Sequence, residues 1–192
     1  HFSTSALRVF AFFLDKAENI LSESGHNAIN MRTLASSLGI TPTTIYNYFE
    51  SKDGLLMELK LRAAKLLNRA IAQIDPALDP HASLEEVGRR YVAFAESHPN
   101  HYRLLFEEIS ETGFSPSEEQ KPEIYYTYYT ARNALERLRA SGKHPVEPKY
   151  GAMTGWIMLH GFCSLLISGR LEPAEGMEPS ELKRFFLSVY TN

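Results

Sequence analysis

Three short polar side chains lie close together in this sequence, at Thr43, Thr44 and Asn47. They are the groups best suited to hydrogen bonding with another molecule. In a helix, which turns about 100° per residue, they share one face, and Ile45 and Phe49 point to the opposite side. Hydroxyl and amide groups suit the base edges of a DNA groove, where asparagine pairs with adenine and a threonine methyl packs against the thymine methyl. The spacing therefore predicts a helix that buries two apolar residues and presents a polar face to DNA.

The flanks of this helix carry groups that suit the DNA backbone. Tyr46 and Tyr48 lie about 80° to either side of the buried direction, where a ring can pack on the domain while its hydroxyl reaches outward. Lys52, near the start of the next helix and capped by Ser51, adds a charge that is attracted to phosphate. The residues predicted to contact DNA are Arg32, Thr33, Thr41, Thr43, Thr44, Tyr46, Asn47, Tyr48 and Lys52.

A preceding short helix must hold this face in position. Its apolar residues recur at i, i+3, i+4 and i+7, which predicts one buried face. Asn30 is placed as its N-cap, and Gly39 predicts a sharp turn with positive φ at its end, with Ile40 in the core beneath the turn. Thr41 is placed to cap the second helix, and Pro42 suits its first position because its missing N–H needs no partner there. The apolar residues of the preceding helix are Met31, Leu34, Ala35 and Leu38.

Two short helices joined at a glycine also serve as plain scaffold in all-α proteins, so periodicity alone leaves both functions open. The segment from Met31 to Leu56 nevertheless resembles the DNA-binding signature of TetR-type transcriptional repressors. The matched residues, in the order found in that family, are Leu34-Ala35, Gly39, Tyr46, Phe49 and Ser51-Lys52-Asp53. The resemblance implies a helix-turn-helix domain followed by a long helix that acts as the lever to a second domain.

Composition places the chain among ordinary soluble globular proteins, since its 192 residues are 44% apolar and 22% charged. One cysteine, Cys163, excludes an internal disulfide framework. We expect a cytoplasmic protein, because neither a secretory signal nor an apolar run long enough to cross a membrane is evident. The net charge of -3 argues, if anything, against nucleic acid. The sequence begins at His1, so a native N-terminal tail, often basic in TetR-type proteins, would lie outside it.

The fold class is predicted to be all-α. Residues 1–52 are expected to form the helix-turn-helix domain and residues 53–192 an effector-binding and dimerisation domain, with a linking helix at about 52–74. Ser83 and Glu86 are placed as a capping box for a helix. The first helix is expected to bury Leu7, Phe10, Phe13, Leu14, Ala17, Ile20 and Leu21. Outside the helix pair, helices are predicted over residues 4–24, 51–74, 83–97, 98–109, 122–140, 148–168 and 179–190, about nine in all.

The second half is rich in aromatic residues that also carry a hydroxyl or N–H group. Apolar pockets with a few polar groups are lined in this way, and we predict a small apolar or aromatic effector. The alternative is that these residues are well-packed core and surface tyrosines. The predicted pocket residues are Tyr91, Phe94, Tyr102, Phe106, Tyr125, Tyr128, Trp156 and His160.

The helix predicted over residues 148–168 is apolar on two sides. One stripe contains Trp156, His160, Cys163 and Ile167, and such a helix must be covered on both sides. We therefore expect one stripe to face the domain interior and the other a second subunit. The residues predicted at the dimer interface are Met158, Phe162, Leu165, Leu166, Leu182, Phe185, Phe186 and Val189. The run from Trp156 through His160 to Gly161 also resembles the C-terminal domain of a TetR subgroup named for Trp, His and Gly.

Enzymatic and metal-binding interpretations are weaker. His160 and Cys163 sit one turn apart, but a small core cysteine is the better interpretation on an apolar helix, and no third group orients them. His98 and His101 have no cysteine or carboxylate cluster to complete a metal site. Glu107 and Glu108 are sequence neighbours and face different ways. We predict no catalytic residue, no metal and no cofactor.

The resulting prediction is an all-α homodimer that binds a pseudo-palindromic, double-stranded DNA operator, most simply as a repressor. Its half-site centres would lie about one helical turn apart, roughly 34 to 36 Å, or a multiple of that distance. A small-molecule effector would release it from DNA, and no membrane is involved. The alternative is a helical binding or scaffold module whose helix-turn-helix does not read DNA.

Overall fold

A computed structural model of the chain describes residues 4–106, 115–142, 146–171, 176 and 178–189. Within these residues the chain is α-helical and contains no β-strand, which confirms the predicted fold class. The α-helices are α1 Thr4–Ser24, α2 Met31–Leu38, α3 Pro42–Tyr46, α4 Lys52–Ile71, α5 Pro80–Ser97, α6 Pro99–Phe106, α7 Lys121–Ile124, α8 Tyr126–Ala140, α9 Pro148–Ile167 and α10 Pro179–Val189. A 3-10 turn at His26–Ala28 precedes α2.

The helix predicted over residues 122–140 is divided into α7 and α8. The backbone at Tyr125, with φ −102° and ψ 15°, leaves the helical range and separates the two. Its C-terminal end was predicted correctly, because α8 ends at Ala140 and Gly142 follows with a positive φ of 72°. The described residues therefore contain ten α-helices.

The predicted capping box at the start of α5 is wrong. The helix begins earlier, at Pro80, where Asp79 Oδ1 accepts the N–H of His81 at 2.9 Å. The N–H of Ser83 already donates to the carbonyl of Asp79 at 2.9 Å. The carboxylate of Glu86 instead binds two arginines on α5. Asp79 caps the helix and Pro80 is its first residue, so Ser83 lies inside the helix and does not cap it.

The helices form two compact units, and the first consists of residues His1–Lys65 and His98–Gln120. α6 belongs to this unit, because Leu104 is fully buried in the same core as α1, α2 and α3. Leu7 is 53% exposed, contrary to prediction, since the residues packed on this core begin at Val9. The buried core residues are Phe13, Leu14, Ala17, Leu21, Ile29, Met31, Leu34, Ala35, Ile45, Phe49, Leu55, Leu56, Leu59 and Leu104.

The second compact unit consists of residues Leu66–Ser97 and Lys121–Asn192. Its core includes residues of α5, α8 and α9, namely Leu84, Ala131, Ala134, Leu135, Leu138 and Ala152. α9 has a mean hydropathy of 1.3, and only 22% of the window with that value is buried. By length and composition it is apolar enough to cross a membrane, which corrects the expectation that the chain has no such run. A single such helix is weak support for a membrane span, because core helices of soluble proteins have the same composition.

Candidate nucleic-acid interface

The first helix of the pair has the ends that the sequence predicts. Asn30 Oδ1 accepts the N–H of Thr33 at 2.8 Å, so the N-cap is confirmed. Gly39 adopts the left-handed conformation with φ 66°, and the N–H of Ile40 donates to the carbonyl of Ala35 at 3.1 Å. Glycine takes this conformation without the steric cost of a Cβ. The turn therefore fixes where the second helix begins.

The second helix, α3, is short, and its apolar side packs in the core. Ile45 is fully buried and Phe49 is 3% exposed, as predicted. The carbonyl of Ile45 accepts the N–H of Tyr48 at 2.9 Å and that of Phe49 at 3.0 Å. Asn47 is the C-cap residue of α3 and is exposed. The backbone just beyond the helix thus keeps Phe49 buried while Asn47 remains on the surface.

Thr41 stands at the N-cap of α3, but its side chain makes no capping hydrogen bond, which corrects the prediction. Its hydroxyl instead lies 3.1 Å from the hydroxyl of Thr44, at hydrogen-bond distance. Pro42 occupies the first turn as predicted, and it has no N–H that would need a cap. Thr44 is half-buried, whereas Thr43 is exposed. Thr43 and Asn47 are therefore the more accessible polar groups of the outer face.

The flanking tyrosines differ in how firmly they are held. Tyr48 is half-buried, and its ring meets that of Phe13 edge to face, with centroids 5.1 Å apart and planes at 84°. Edge-to-face pairs stabilise by about 0.5–1.5 kcal/mol beyond their buried area. Tyr46 is 52% exposed. Tyr48 thus has a fixed ring that can direct its hydroxyl, and Tyr46 offers a largely solvent-exposed one.

The remaining residues of the predicted DNA contact set also lie at the surface. Lys52 is exposed at the first position of α4, and Ser51 Oγ accepts the N–H of Gly54 at 3.0 Å, which confirms the predicted cap. The exposed members of the set are Arg32, Thr33, Thr41, Thr43, Tyr46, Asn47 and Lys52, and the half-buried ones are Thr44 and Tyr48. Contact with DNA remains a prediction for all nine.

A polar cluster that sequence reasoning did not find joins α1, α4 and α6 in the first unit. Arg62 of α4 donates to Asp15 Oδ1 at 2.5 Å and to Glu18 Oε2 at 2.7 Å, and His101 of α6 approaches Glu18 Oε1 at 3.6 Å. Burial lowers the pKa of His101 below its usual 6.5, with an opposing effect from Glu18 and a reinforcing one from His98. These residues are distant in sequence, so no local pattern could have indicated the cluster.

The predicted effector residues are divided between the two units. Tyr102 and Phe106 belong to the first unit, with ring centroids 5.0 Å apart. Within the second unit, Trp156 Nε1 donates to the hydroxyl of Tyr91 at 3.2 Å. The other members in that unit are Phe94, which is buried, and Tyr125, Tyr128 and His160, which are half-buried. Tyr91 and Trp156 are therefore directly hydrogen-bonded to each other.

A cleft of about 500 Å³ in the second unit has a different character. It lies at the end of α8 and the start of α9, and none of the predicted effector residues lines it. Its carboxylates are already paired, Glu136 with Arg132 at 3.2 Å and Glu147 with Arg139. The lining residues are Arg132, Glu136, Arg139, Ala140, Glu147, Pro148 and Lys149. This charged cleft does not correspond to the predicted apolar pocket.

The predicted dimer residues are partly exposed and partly buried within the chain. Phe162 is 7% exposed, and its ring stacks on that of Phe186 with centroids 4.3 Å apart. Met158, Leu165 and Phe185 are exposed. Leu166, Leu182 and Phe186 are half-buried, and the side chain of Val189 lies outside the described residues. The exposed members are thus candidates for a contact with another chain.

The groups considered for catalysis or metal binding are placed as follows. Cys163 is fully buried. The rings of His98 and His101 meet edge to face at 5.8 Å. The part of the chain that the structure describes contains no group of three or more potential metal ligands. Glu107 and Glu108 lie outside the described residues.

Two family models match the chain. Residues 13–59 match the family described as bacterial regulatory proteins, tetR family, and residues 84–188 match the tetracyclin repressor-like C-terminal domain. An uncharacterized HTH-type transcriptional regulator from Haemophilus influenzae is 31% identical over 101 residues, which are 52% of this chain and 49% of the relative. The chain thus spans about half the length of that curated relative.

Solved structures share the fold. The TetR family regulator PfmR from Thermus thermophilus is 21% identical with a TM-score of 0.64, over 93% of this chain and 96% of that one. The regulator FadR from Bacillus subtilis, in complex with stearoyl-CoA, is 14% identical with a TM-score of 0.67, over 95% and 98% of the chains. The C-terminal family model alone covers more than half of the chain, and with the N-terminal match it shows that this chain belongs to the TetR family of transcriptional regulators, which are not enzymes.

Proposed function

We propose that this chain is a repressor that binds a pseudo-palindromic DNA operator as a homodimer and is released by a small apolar or aromatic effector. One observation carries the proposal: α3 buries Ile45 completely and leaves Thr43 and Asn47 exposed on its other side. A helix fixed in this way presents hydrogen-bonding groups that can meet base edges in the major groove. The polar outer face of a helix whose apolar side is buried is what supports the proposed function.

Within this proposal the contacts fall into two kinds. Thr43 and Asn47 would read bases, and Tyr46, Tyr48 and Lys52 would contact phosphates, which fix register without carrying sequence information. The surface around the helix pair supplies few cations, chiefly Arg32 and Lys52. Because each neutralised phosphate releases counterions, few cations mean a shallow salt dependence. Specific affinity would then depend strongly on the base contacts.

The homodimer is supported by an apolar surface on α9 and α10, which we call the α9 face. Tyr150 and Ile157 are each 63% exposed, Met153 41%, Met158 40% and Leu165 46%. On α10, Phe185 is 62% exposed. A contiguous exposed apolar surface marks a site of association, and an isologous contact of α9 and α10 with the same helices of a second copy would cover it. We therefore assign the α9 face to the dimer contact and Phe162 to the core of its own subunit.

The effector is proposed to act among the aromatic residues of the second unit. Tyr91 is 1% exposed and accepts the indole N–H of Trp156, so this pair combines apolar surface with a polar group. FadR, which shares the fold, was solved with stearoyl-CoA, so a ligand with a long apolar chain is a reasonable first probe. Induction requires the effector to bind one conformation more tightly than the other.

We also propose that the protein acts in the cytoplasm, where TetR regulators typically work. α9 would then be covered by a second subunit and not by lipid. This agrees with its packing against α5 and α8, which a lone membrane-spanning helix would lack.

DNase footprinting on the DNA upstream of the chain's own coding sequence tests the central claim. The expected result is protection of a pseudo-palindrome whose half-site centres lie about 34 to 36 Å apart, or a multiple of that distance. The Thr43→Ala/Asn47→Ala double variant is the matched control, since both residues are exposed and their loss leaves the core intact. If the wild-type chain protects no discrete site there, the scaffold alternative is favoured. Adding stearoyl-CoA to the bound complex then tests release.

A further inference from the structure

The charged cleft between the end of α8 and the start of α9, which we call the α8–α9 cleft, brings cations of two helices together. Its volume is about 500 Å³, and all of its lining residues belong to the second compact unit. Small-molecule sites have volumes of roughly 300–1,000 Å³. Arg132 and Arg139 line the cleft from one face of α8, about two helical turns apart, and Lys149 lines it from the first turn of α9. The cleft therefore has the size of a small-molecule site and cationic groups on two of its walls.

The guanidinium of Arg132 is held in place but keeps a hydrogen-bond donor unused. Its Cζ lies over the ring of Tyr129, 5.2 Å from the ring centroid. Its Nε is buried and has no hydrogen-bond partner among the residues that the structure describes. Glu136 Oε1 is 3.2 Å from this nitrogen, but the contact lacks the alignment of a hydrogen bond. A planar guanidinium that rests on a ring and has a donor to spare suits an oxyanion with two or more oxygens.

Lys149 supplies a second positive charge to the cleft. Its side chain is exposed, and its Nζ lies 4.9 Å from the centroid of the Tyr150 ring. Its backbone carbonyl accepts the hydroxyl of Tyr128 on α8 at 3.4 Å, which ties the start of α9 to α8. In the described part of the chain, the two carboxylates of the cleft pair with the arginines and not with Lys149. The charge of Lys149 is thus left for another partner.

The two carboxylates of the cleft are held differently. Glu147, the residue before α9, accepts a hydrogen bond from Arg139 of α8, so this pair joins the two helices. Glu136 is 54% exposed and only approaches Arg132 without a hydrogen bond. Pairs of exposed charges contribute little to stability, so Glu136 can turn toward solvent at low cost. An anion can then take its place beside Arg132, opposite Lys149.

We propose that the α8–α9 cleft binds a small molecule that carries a phosphate group, with the phosphate between Arg132 and Lys149. A phosphate monoester has roughly two negative charges at neutral pH and three acceptor oxygens, which suits a guanidinium and an ammonium together. A carboxylate has one charge and two oxygens. The remaining volume accommodates an organic group such as a sugar. This site goes beyond the proposed function, because none of the predicted DNA-contact or effector residues lines the cleft.

Isothermal titration calorimetry on the full chain, without DNA, tests the proposal with inorganic phosphate and ribose 5-phosphate as probes. Low ionic strength is used because salt screens exposed charges. We expect one ribose 5-phosphate per chain, bound more tightly than inorganic phosphate, and no binding of ribose. If neither phosphate compound binds, or if ribose binds as tightly as ribose 5-phosphate, the proposal is wrong.

Two substitutions locate the phosphate within the cleft. Arg132→Gln and Lys149→Gln should each weaken ribose 5-phosphate binding about tenfold or more, as expected for losing a hydrogen bond between charged groups. Arg170→Gln is the matched control, since Arg170 is exposed in the same unit and does not line the cleft. It removes the same charge and should leave binding unchanged. Equal weakening by all three variants would mean that only the overall charge matters, and the site would be rejected.

Glu136→Gln separates a binding site from a merely structural group of ion pairs. Removing the carboxylate that competes for Arg132 should strengthen ribose 5-phosphate binding several-fold, and weaker or unchanged binding would overturn the arrangement. Succinate, a dianion without phosphate, should bind less tightly than ribose 5-phosphate. Equal binding of the two would contradict the assignment to phosphate. All of these titrations use the free protein, so a failed footprint would reject the proposed function and leave this site to be judged by its own result.

Discussion

In the first compact unit α3 turns polar side chains outward, whereas in the second unit α9 leaves apolar side chains exposed. α3 buries Ile45 and exposes Asn47, but α9 buries Leu159 and exposes Ile157 at 63%. A helix with a polar outer face is stable in water, and one with an apolar outer face gains free energy only when another apolar surface covers it. The comparison agrees with the two proposals made above, that the polar face of α3 meets DNA and that the α9 face meets a second copy of the chain.

Placing a charge on the α9 face tests the proposed difference between the two units and has the largest expected effect. Ile157→Asp and Phe185→Asp would each place a carboxylate in the proposed contact between copies, and leaving a charge buried without a partner costs about 3–5 kcal/mol. We expect monomers by light scattering and a loss of operator affinity of several orders of magnitude. Asn133→Asp, on the exposed side of α8, is the control and should remain dimeric. A dimer that survives both α9-face variants would mean that the interface lies elsewhere.

The two helices also differ in how well their sequences predict them. For α2 and α3, the cap at Asn30, the turn at Gly39 and the apolar spacing all lie within a few residues, so their positions and buried faces follow from local chemistry. For α9, apolar residues occur on both sides, and periodicity cannot say which side faces the interior. Phe162 is buried and its ring stacks on that of Phe186 on α10, a contact between helices that the periodicity of α9 alone cannot show.

The polar cluster around Arg62 was missed for the same reason. Glu18, Arg62 and His101 sit on three helices, and each alone looks like an ordinary charged or polar surface residue. Only packing shows that one carboxylate lies beside both partners. The start of α5 was predicted wrongly for another reason. The sequence offers two possible helix starts, the Asp79-Pro80 pair and the Ser83 capping pattern, and the helix begins at the first of them.

The polar face of α3 is tested by two substitutions with different expected signatures. Asn47→Ala removes a proposed base contact and should weaken operator binding by about 1–3 kcal/mol while relaxing base preference. Lys52→Ala removes a proposed phosphate contact and should weaken binding to all sequences, reducing the salt slope by about one unit. Titrations against specific and random duplexes at several salt concentrations separate the two. An equal loss for Asn47→Ala on both duplexes would contradict its base-reading role.

The interior of the second unit is tested at the bond between Trp156 and Tyr91. Trp156→Phe removes the indole N–H that donates at 3.2 Å, and a typical hydrogen bond contributes about 0.5–1.5 kcal/mol to folding. We expect that decrease in the free energy of unfolding, together with a shifted dose-response when stearoyl-CoA, the probe named above, is used to release the operator. Operator affinity without the small molecule should be unchanged, and Tyr91→Phe serves as the matched variant. An unaltered dose-response in both would remove the pair from the proposed pocket.

Acid should affect the two units in different pH windows, with the smallest effects of this series. In the first unit, burial lowers the pKa of His101 below 6.5 in the folded chain. The unfolded chain then takes up the proton first, so the stability that neutral His101 allows is present above pH 6.5 and is lost as the pH falls below that value. In the second unit, hydrogen bonding to Arg89, opposed by burial and aided by Arg90, lowers the pKa of Glu86 to about 2. Its contribution is present above the unfolded value of 4.5 and is lost as the pH falls toward 2.

Thermal unfolding between pH 3 and pH 8 can separate these windows, because Trp156, the single tryptophan, reports on the second unit. For the first unit, stability is measured by hydrogen exchange in α2. His101→Gln should abolish the decline in that stability which begins as the pH falls below about 6.5. Glu86→Gln should instead flatten the tryptophan-detected decline below pH 4.5. Surface ion pairs of this kind contribute about 0.2–1 kcal/mol, a shift of no more than about 2–4 °C in a chain of this size. If both probes decline together in the same window and respond alike to both variants, the two units unfold as one, and their contrast is confined to their surfaces.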